Sequence, residues 1–382
     1  MTGISENNWE QDARDILSEP LGWRPLRGEQ IAPGSGERES WDDLLIRPRL
    51  LEALRRLNPA VPALYLQQAV AEIAAPKSQD AITENQRIHK LFIEGFSLTY
   101  IDADGVEQNP RIRLLGARPE ENDWLAVNQV TIRQRDLHRR FDLVLYVNGM
   151  PLSIVELKKA GSASTGVAPA HAQLQTYLRE FPMAFRFCVF TLASDGLDAK
   201  YGTPFTPLNH FAPWNVDDDG ARLAYPRVEG GVSVEPLDDA LTGLYNQERF
   251  LQLVRNFTAF DEGANGLEKR IAKPHQYFAV TKAVGSTVQA VESNGKAGVV
   301  WHTQGSGKSM EMELYVNLVS LHHKLKNPTI IVVTDRNELD GQLFESFHRS
   351  TLLPEKPVQV KRRAQLRDEL RSRVTGGILF TT

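Results

Sequence analysis

Two groups of residues in this 382-residue chain have the types and spacing of reactive sites. The first is Asp142 on one apolar run and Glu156-Leu157-Lys158 on the next, joined by Asn148-Gly149-Met150-Pro151. Asn-Gly favours a tight hairpin because both residues tolerate positive φ. On an extended strand Glu156 and Lys158 emerge on one face, where Asp142 from the neighbouring strand can join them. Two hard carboxylate oxygens, helped by the Leu157 carbonyl, suit Mg²⁺. The lysine ammonium can stabilise developing charge or orient a nucleophile. An isolated Glu-x-Lys also occurs as plain charge on a solvated strand. Here, however, Leu152-Ser-Ile-Val-Glu-Leu-Lys-Lys159 sets the charges at the end of a nearly continuous apolar run, as in a buried sheet with its site at the strand end. Downstream, Gln173-Leu-Gln-Thr-Tyr177 places Gln173 and Tyr177 four apart, on one face of a helix.

The second group is a glycine loop. Ala297-Gly-Val-Val-Trp301 runs into His302-Thr303-Gln304-Gly305-Ser306-Gly307-Lys308-Ser309. Glycines there let backbone N–H groups wrap the phosphates of ATP, with Thr303, Gly305, Ser306 and Gly307 in the loop. Lys308 would reach phosphate oxygens and Ser309 would hold Mg²⁺. The full phosphate-loop pattern has glycine at position 302, where this chain has His302.

Elements must position these groups. Leu44, Leu45, Leu50, Leu51, Leu54 and Leu57 recur at helical steps across 41–75, punctuated by Pro59 and Pro62. A further helix is expected near Thr83, with Glu84 in its first turn. The period then shifts towards two, predicting strands over 96–101, 124–132, 141–147, 152–157 and 185–192, with a helix over 168–180 between the last two. Residues 200–240 are rich in Pro, Gly and Asp, and Asp217-Asp-Asp-Gly220 reads as a turn. Beyond them, 240–260 and 273–290 read as helices, 298–302 as a short strand, 307–323 as a helix and 329–334 as a strand. Strand, glycine loop, helix, strand is the opening of a parallel-sheet nucleotide-binding domain. The expected division is a helical and loop region over 1–60, a first domain over 61–215, a linker over 216–240 and a second domain over 241–382.

Bulk properties narrow the class. Composition is 41% hydrophobic and 24% charged, that of an ordinary globular protein. No apolar run approaches the ~20 residues that span a bilayer, and no secretory signal begins the chain, which fits the cytoplasm. The lone Cys188, in an apolar run, reads as a buried structural thiol. A net charge of −4 does not advertise nucleic acid, but Arg133, Arg135, Arg139 and Arg140 cluster just before Asp142 and could hold phosphates. The basic run 361–373 carries interleaved acids (Asp368, Glu369) and reads as a solvated helix face.

With Asp142, Glu156 and Lys158 at metal and catalytic positions and Gln173 and Tyr177 as a DNA-contacting supplement, the first half resembles the PD-(D/E)xK nucleases, more closely their RecB-type branch. The first element is a lone Asp, without the preceding Pro of the family name. Glu84 either matches an acidic residue such folds carry on their first helix or is a plain helix N-terminal charge. The second half is similar to superfamily 2 helicases and translocases: Thr303–Ser309 looks like motif I, and Pro274-His-Gln-Tyr-Phe-Ala-Val280 resembles the glutamine motif, in which Gln276 reads adenine. Ile330-Ile-Val-Val-Thr-Asp-Arg-Asn-Glu-Leu-Asp340 resembles motif Ia, whose DNA-backbone positions fall on Thr334, Asp335 and Arg336, although Asp335 also suits a helix cap. Neither the acidic motif that completes Mg²⁺ binding nor the arginine finger of a second lobe is found. The chain stops at Gly377-Ile-Leu-Phe-Thr-Thr382, in what reads as a core strand, so the expectation is a fragment of a longer polypeptide.

The order of parts, together with Leu45-Ile-Arg-Pro-Arg-Leu-Leu-Glu-Ala-Leu54, resembles the restriction (R) subunit of type I restriction-modification enzymes. That resemblance implies an α/β architecture: a mixed-sheet, restriction-endonuclease-like domain followed by an incomplete parallel-sheet, RecA-like motor domain. It implies ATP-dependent translocation and Mg²⁺-dependent cleavage of double-stranded DNA, with modification (methyltransferase) and specificity subunits as partners. A helicase-nuclease of DNA repair would share both motifs, and a non-catalytic DNA- or partner-binding remnant is the third reading.

Overall fold

The computed structural model describes residues 6–159, 166–263, 266–335 and 337–382. The chain is a mixed α/β protein in two units, Met1–Arg255 and Asn256–Thr382. Among the described residues, no helix is long and apolar enough to cross a membrane.

The first unit is built on a six-stranded mixed sheet. It opens with α1 (Glu6–Ser18) and the edge strand β1 (Arg24–Arg27). Three helices follow: α2 (Arg47–Leu57), started by Pro48, α3 (Ala63–Ala74) after Pro62, and α4 (Ala81–Glu94). Asp80 caps α4 by accepting from the Thr83 N–H at 2.9 Å, satisfying a donor the helix itself leaves open. The sheet continues with β2 (Trp124–Gln134), β3 (Leu137–Val147) and β4 (Met150–Leu157), then α5 (Val167–Glu180), β5 (Phe190–Ser194) and β6 (Ala199–Gly202). Strand order is β1-β2-β3-β4-β5-β6. β1 lies parallel to β2 and β4 parallel to β5, with every other neighbour antiparallel. All eight residues of β4 are buried, which explains its near-continuous apolar sequence.

The β3–β4 connection forms as the dipeptide predicts, with φ of 53° at Asn148 and 77° at Gly149. Asn148 anchors it further: its Oδ1 accepts from the Asp123 N–H at 2.9 Å, and its Nδ2 donates to Leu114 O at 2.9 Å. A Cβ at Gly149 would stand 2.4 Å from Ile46 O and 3.0 Å from Leu50 N. Gly149→Ala therefore combines unfavourable φ with a backbone clash, and urea unfolding should show a loss on the order of 2–3 kcal/mol. An unchanged midpoint would mean that the turn relaxes freely.

Several expected elements change. Over 185–192 the chain is not one strand. A 3-10 turn, Pro182–Phe185, precedes Arg186, whose buried guanidinium holds Asp43 at 2.8 Å, and pairing starts only at Phe190. The run 96–101 is two two-residue strands, Phe96–Ser97 and Tyr100–Ile101, paired with different partners. The expected helix 240–260 is α6 (Pro236–Tyr245) and α7 (Gln247–Asn256), separated at Asn246 and ending before a strand. Nor is 1–60 a region apart, or 216–240 a linker between units. Trp23 donates through Nε1 to Tyr245 O at 2.8 Å and packs edge-on against Trp124 and Phe250 at 4.8 and 5.4 Å. Burial of these aromatics ties α6 and α7 to the first sheet.

The second unit begins with the hairpin strands β7 (Thr258–Gly263) and β8 (Gly266–Ile271). α8 (Pro274–Val291) and α9 (Lys308–Leu321) flank the glycine loop. Then come β9 (Ile330–Val333), α10 (Asn337–Arg349), β10 (Val358–Gln359), α11 (Arg363–Ser372) and β11 (Ile378–Thr381). The strands make a parallel sheet in the order β9-β11-β10, over a core that includes Val316, Val332, Phe347, Ile378 and Phe380. The strand expected over 298–302 does not form: no ladder pairs it among the described residues, and Val299 and Trp301 are exposed. An apolar run becomes a strand only where a neighbour supplies its hydrogen bonds. α11 buries no residue, in keeping with a solvated basic face.

Candidate functional site

The first site sits where β3 and β4 run side by side. The ladder pairs Leu143 with Val155, so Asp142 and Glu156 stand one step further, opposite each other and on the same face. Asp142 accepts from the Leu157 N–H through Oδ2 at 2.8 Å. Glu156 is 1% exposed. Its Oε1 pairs with Lys158 Nζ, while its Oε2 makes no hydrogen bond. Burial first, and then the Asp142 charge, push the Glu156 carboxyl up to about 8. Lys158 leaves the strand end, with its N–H donating to Ser194 O at 2.9 Å and its Nζ to Leu157 O at 3.1 Å. Two facing carboxylates, one with an orphaned buried oxygen, call for a cation between them. This donor set fits Mg²⁺.

The Gln-x-x-x-Tyr pair divides. Gln173 is half-buried on α5, whereas Tyr177 is buried. The Tyr177 hydroxyl donates to Arg140 O at 3.1 Å and its ring packs edge-on to Phe141 at 4.7 Å, so it braces the strand that carries Asp142. Burial, with Glu156 and Asp142 adding to it, drives that hydroxyl's pKa well above the ordinary tyrosine value, and it remains a donor. Glu84, fully buried, accepts from the Lys77 and Ser78 N–H groups through Oε2 and pairs with Arg87 through Oε1. Both of its oxygens are thus engaged in anchoring the start of α4. In the basic cluster, Arg133, Arg135 and Arg140 are exposed on the β2–β3 hairpin, whose turn takes Arg135 to a φ of 53°. Arg139 is held by Glu180 at 2.8 Å. Cys188 is buried, as expected of a structural thiol.

The second site is the loop before α9. Gly305 and Gly307 adopt φ of 80° and 87°, and Gly307 caps α9 without any side-chain cap. The helix thus presents its first N–H groups to the loop, as an anion site requires. Lys308 Nζ donates to His302 O at 3.1 Å and Thr303 O at 2.8 Å. Thr303 and Ser309 are exposed. Gln276, in the first turn of α8, donates through Nε2 to the Ser306 and Gly307 carbonyls, each at 3.3 Å. A Cβ at Gly307 would lie 2.5 Å from that same nitrogen. Lysine, glycine cradle and uncapped helix together fit a nucleotide's phosphates. Thr334 follows β9 and donates its N–H to Thr381 O at 3.0 Å, next to an exposed Asp335. Arg336 lies outside the described residues. Sequence reasoning missed the meeting of His275, His302 and Glu311 beside this loop. The three residues are 27 and 9 positions apart in sequence, a separation that carries no periodic signal.

The family model described as type I restriction enzyme R protein N terminus matches residues 3–210, over half of the chain. The chain belongs to this R-protein family. A second model, SWI2/SNF2 ATPase, matches residues 275–382 and so takes in the glycine loop. The chain is similar to the type I restriction enzyme HindI endonuclease subunit of Haemophilus influenzae, with 35% identity covering 99% of this chain and 36% of that one. It is 28% identical to the MjaIXP endonuclease subunit of Methanocaldococcus jannaschii, over 95% of this chain and 35% of that one. The SauCOLORF180P endonuclease subunit of Staphylococcus aureus is 24% identical over 60% of the chain. The chain therefore spans about a third of the length of the first two relatives.

Proposed function

We propose that the chain acts within a type I restriction endonuclease subunit, with the first unit cutting DNA and the second gripping ATP. On this reading the first unit is a restriction-endonuclease-like domain, and the second belongs to the first lobe of a RecA-like translocating motor. The observation that carries it is the facing of Asp142 and Glu156 across the β3–β4 ladder, with an orphaned carboxylate oxygen and Lys158 at the strand end. Asp142 and Glu156 would hold Mg²⁺, whose chemistry there would be to polarise the scissile phosphate and acidify the attacking water. Lys158 brings a positive charge to the phosphate oxygens as negative charge develops on them. Arg133, Arg135 and Arg140, exposed on the β2–β3 hairpin, contact backbone phosphates, with Gln173 one turn along α5 from the bracing Tyr177. Gln276 sets the loop and takes the adenine edge, while Thr303, Gly305, Ser306, Gly307 and Lys308 receive the phosphates and Ser309 the nucleotide's Mg²⁺. Thr334 and Arg336 contact the DNA track.

Double-stranded DNA is the substrate, in the cytoplasm, and modification and specificity subunits supply the recognition sequence. Mg²⁺-dependent cleavage of plasmid DNA, assayed with and without those subunits, is the test. Cleavage is expected to vanish in Asp142→Ala and in Lys158→Ala while circular dichroism stays unchanged. Activity surviving in both variants would overturn the assignment.

A further inference from the structure

Beside the glycine loop, three side chains from separate segments converge. His275 stands in the first turn of α8, His302 just before the loop, and Glu311 in the first turn of α9. One ligand atom from each lies within 4.8 Å of the others. His302 Nδ1 is 2.7 Å from Glu311 Oε1, and His275 Nε2 is 3.9 Å from the same oxygen. Two donors on one tetrahedral ion stand about 3.3 Å apart, so these separations bracket the required spacing. The imidazoles already pack edge to face, with centroids 5.2 Å apart.

We propose that His275, His302 and Glu311 form a binding site for a transition-metal ion of the Zn²⁺ class. Two imidazoles and one carboxylate are the donors such an ion selects, whereas Mg²⁺ prefers an all-oxygen shell. Three protein ligands leave a fourth position for water or a backbone oxygen. Glu311 is a buried carboxylate whose Oε1 meets His302 Nδ1, and a buried carboxylate is a ligand that a metal ion compensates directly. It also borders a cavity of about 590 Å³, which gives an ion a way in. The surroundings hold a further sign of incompleteness: Ser306, whose carbonyl takes the His275 Nε2 contact at 2.9 Å, has a buried hydroxyl without a hydrogen-bond partner.

The site has a built-in consequence for the loop. In the hydrogen bond to Ser306 O, His275 Nε2 must carry the proton. A metal on Nε2 requires the other tautomer and breaks that bond, leaving the carbonyl to Gln276 Nε2 alone. Metal occupancy and loop conformation are therefore linked. Any effect on ATP affinity rests on the nucleotide reading above; the metal site itself does not.

Titration of the protein with Co²⁺, followed by its visible ligand-field absorption and by displacement with Zn²⁺, tests the proposal without ATP or DNA. The expected result is one bound ion with tetrahedral-type bands, and at least tenfold weaker binding in His275→Ala, His302→Ala and Glu311→Gln. Asp142→Ala and Glu156→Gln should retain the bands, separating this site from the nuclease carboxylates. Absence of bands, or bands that persist in a His275→Ala/His302→Ala double variant with native circular dichroism, would overturn it. So would bands lost in Asp142→Ala alone.

Discussion

Glu156→Gln is expected to cut Mg²⁺-dependent DNA cleavage by about 10³-fold or more while raising the melting temperature of the metal-free protein. Both effects have one origin. The carboxylate is buried at 1% exposure, faces Asp142 and leaves Oε2 without a hydrogen bond. Its charge has value only when a cation shares the site; without one, burial keeps the carboxyl protonated below about pH 8 and leaves Oε2 unsatisfied, at a cost on the order of 1–3 kcal/mol. Gln keeps the shape and loses the charge. Lys158, 28% exposed at its side chain, remains within reach of water and of Leu157 O. The sign of the pH dependence follows. The folded-state value of about 8 lies above the ordinary 4.5, so between these the folded protein holds a proton that the unfolded chain has released. Glu156 therefore contributes a fall in stability as pH rises through that window, a contribution the variant lacks. The gap in melting temperature should widen from pH 5 to pH 8 and narrow again when Mg²⁺ is added. A variant melting at or below the parent at pH 8, without metal, would show that Glu156 serves the fold.

Lys308→Ala is the second large effect. Removing an ammonium that meets phosphate oxygens deletes charge-assisted hydrogen bonds of about 1.5–3 kcal/mol, roughly a 10- to 100-fold loss in ATP affinity. The lysine is exposed and donates to the His302 and Thr303 carbonyls, with no ion pair among the described residues, so its loss should leave melting unchanged. Gly307→Ala is expected to reach a similar loss by another route. Its φ of 87° disfavours any side chain, and the new Cβ would meet Gln276 Nε2, displacing the residue that holds the loop. Titration with a fluorescent ATP analogue reads both. Unchanged affinity in Lys308→Ala would move the nucleotide elsewhere.

What could be read from the sequence was local. Asn148-Gly149 fixed a turn through the φ values its residues accept, and the period-2 spacing then placed Asp142, Glu156 and Lys158 at one strand end. The glycines of 303–309 likewise carry their conformational demand within a few residues. Non-local information was harder. Apart from Arg186, the stretch 185–192 is apolar or near-apolar in both phases, so periodicity could not separate the 3-10 turn at Pro182–Phe185 from the strand starting at Phe190. The run 298–302 looked like a strand because apolar residues suit one, but a ladder partner cannot be read from the run itself. Tyr177 has helical spacing from Gln173, yet spacing alone does not say that its hydroxyl turns inward to Arg140 O. The N-terminal boundary failed for the same reason: Trp23 meets partners more than two hundred positions later.

That last contact also governs the order in which the molecule can be made. Tyr245 accepts from Trp23 through its carbonyl, and its hydroxyl hydrogen-bonds Ser153 on β4 at 2.9 Å, three residues from Glu156. On a ribosome, strands β1 to β6 emerge long before α6 and α7. During that interval the faces that will meet Tyr245 and Phe250 lie open, as late-closing, high-contact-order structure must. The strand bearing Glu156 is thus among the segments whose packing is completed late. A nascent chain halted near residue 210 would carry Asp142, Glu156 and Lys158 and still lack the aromatic wall that packs behind β4.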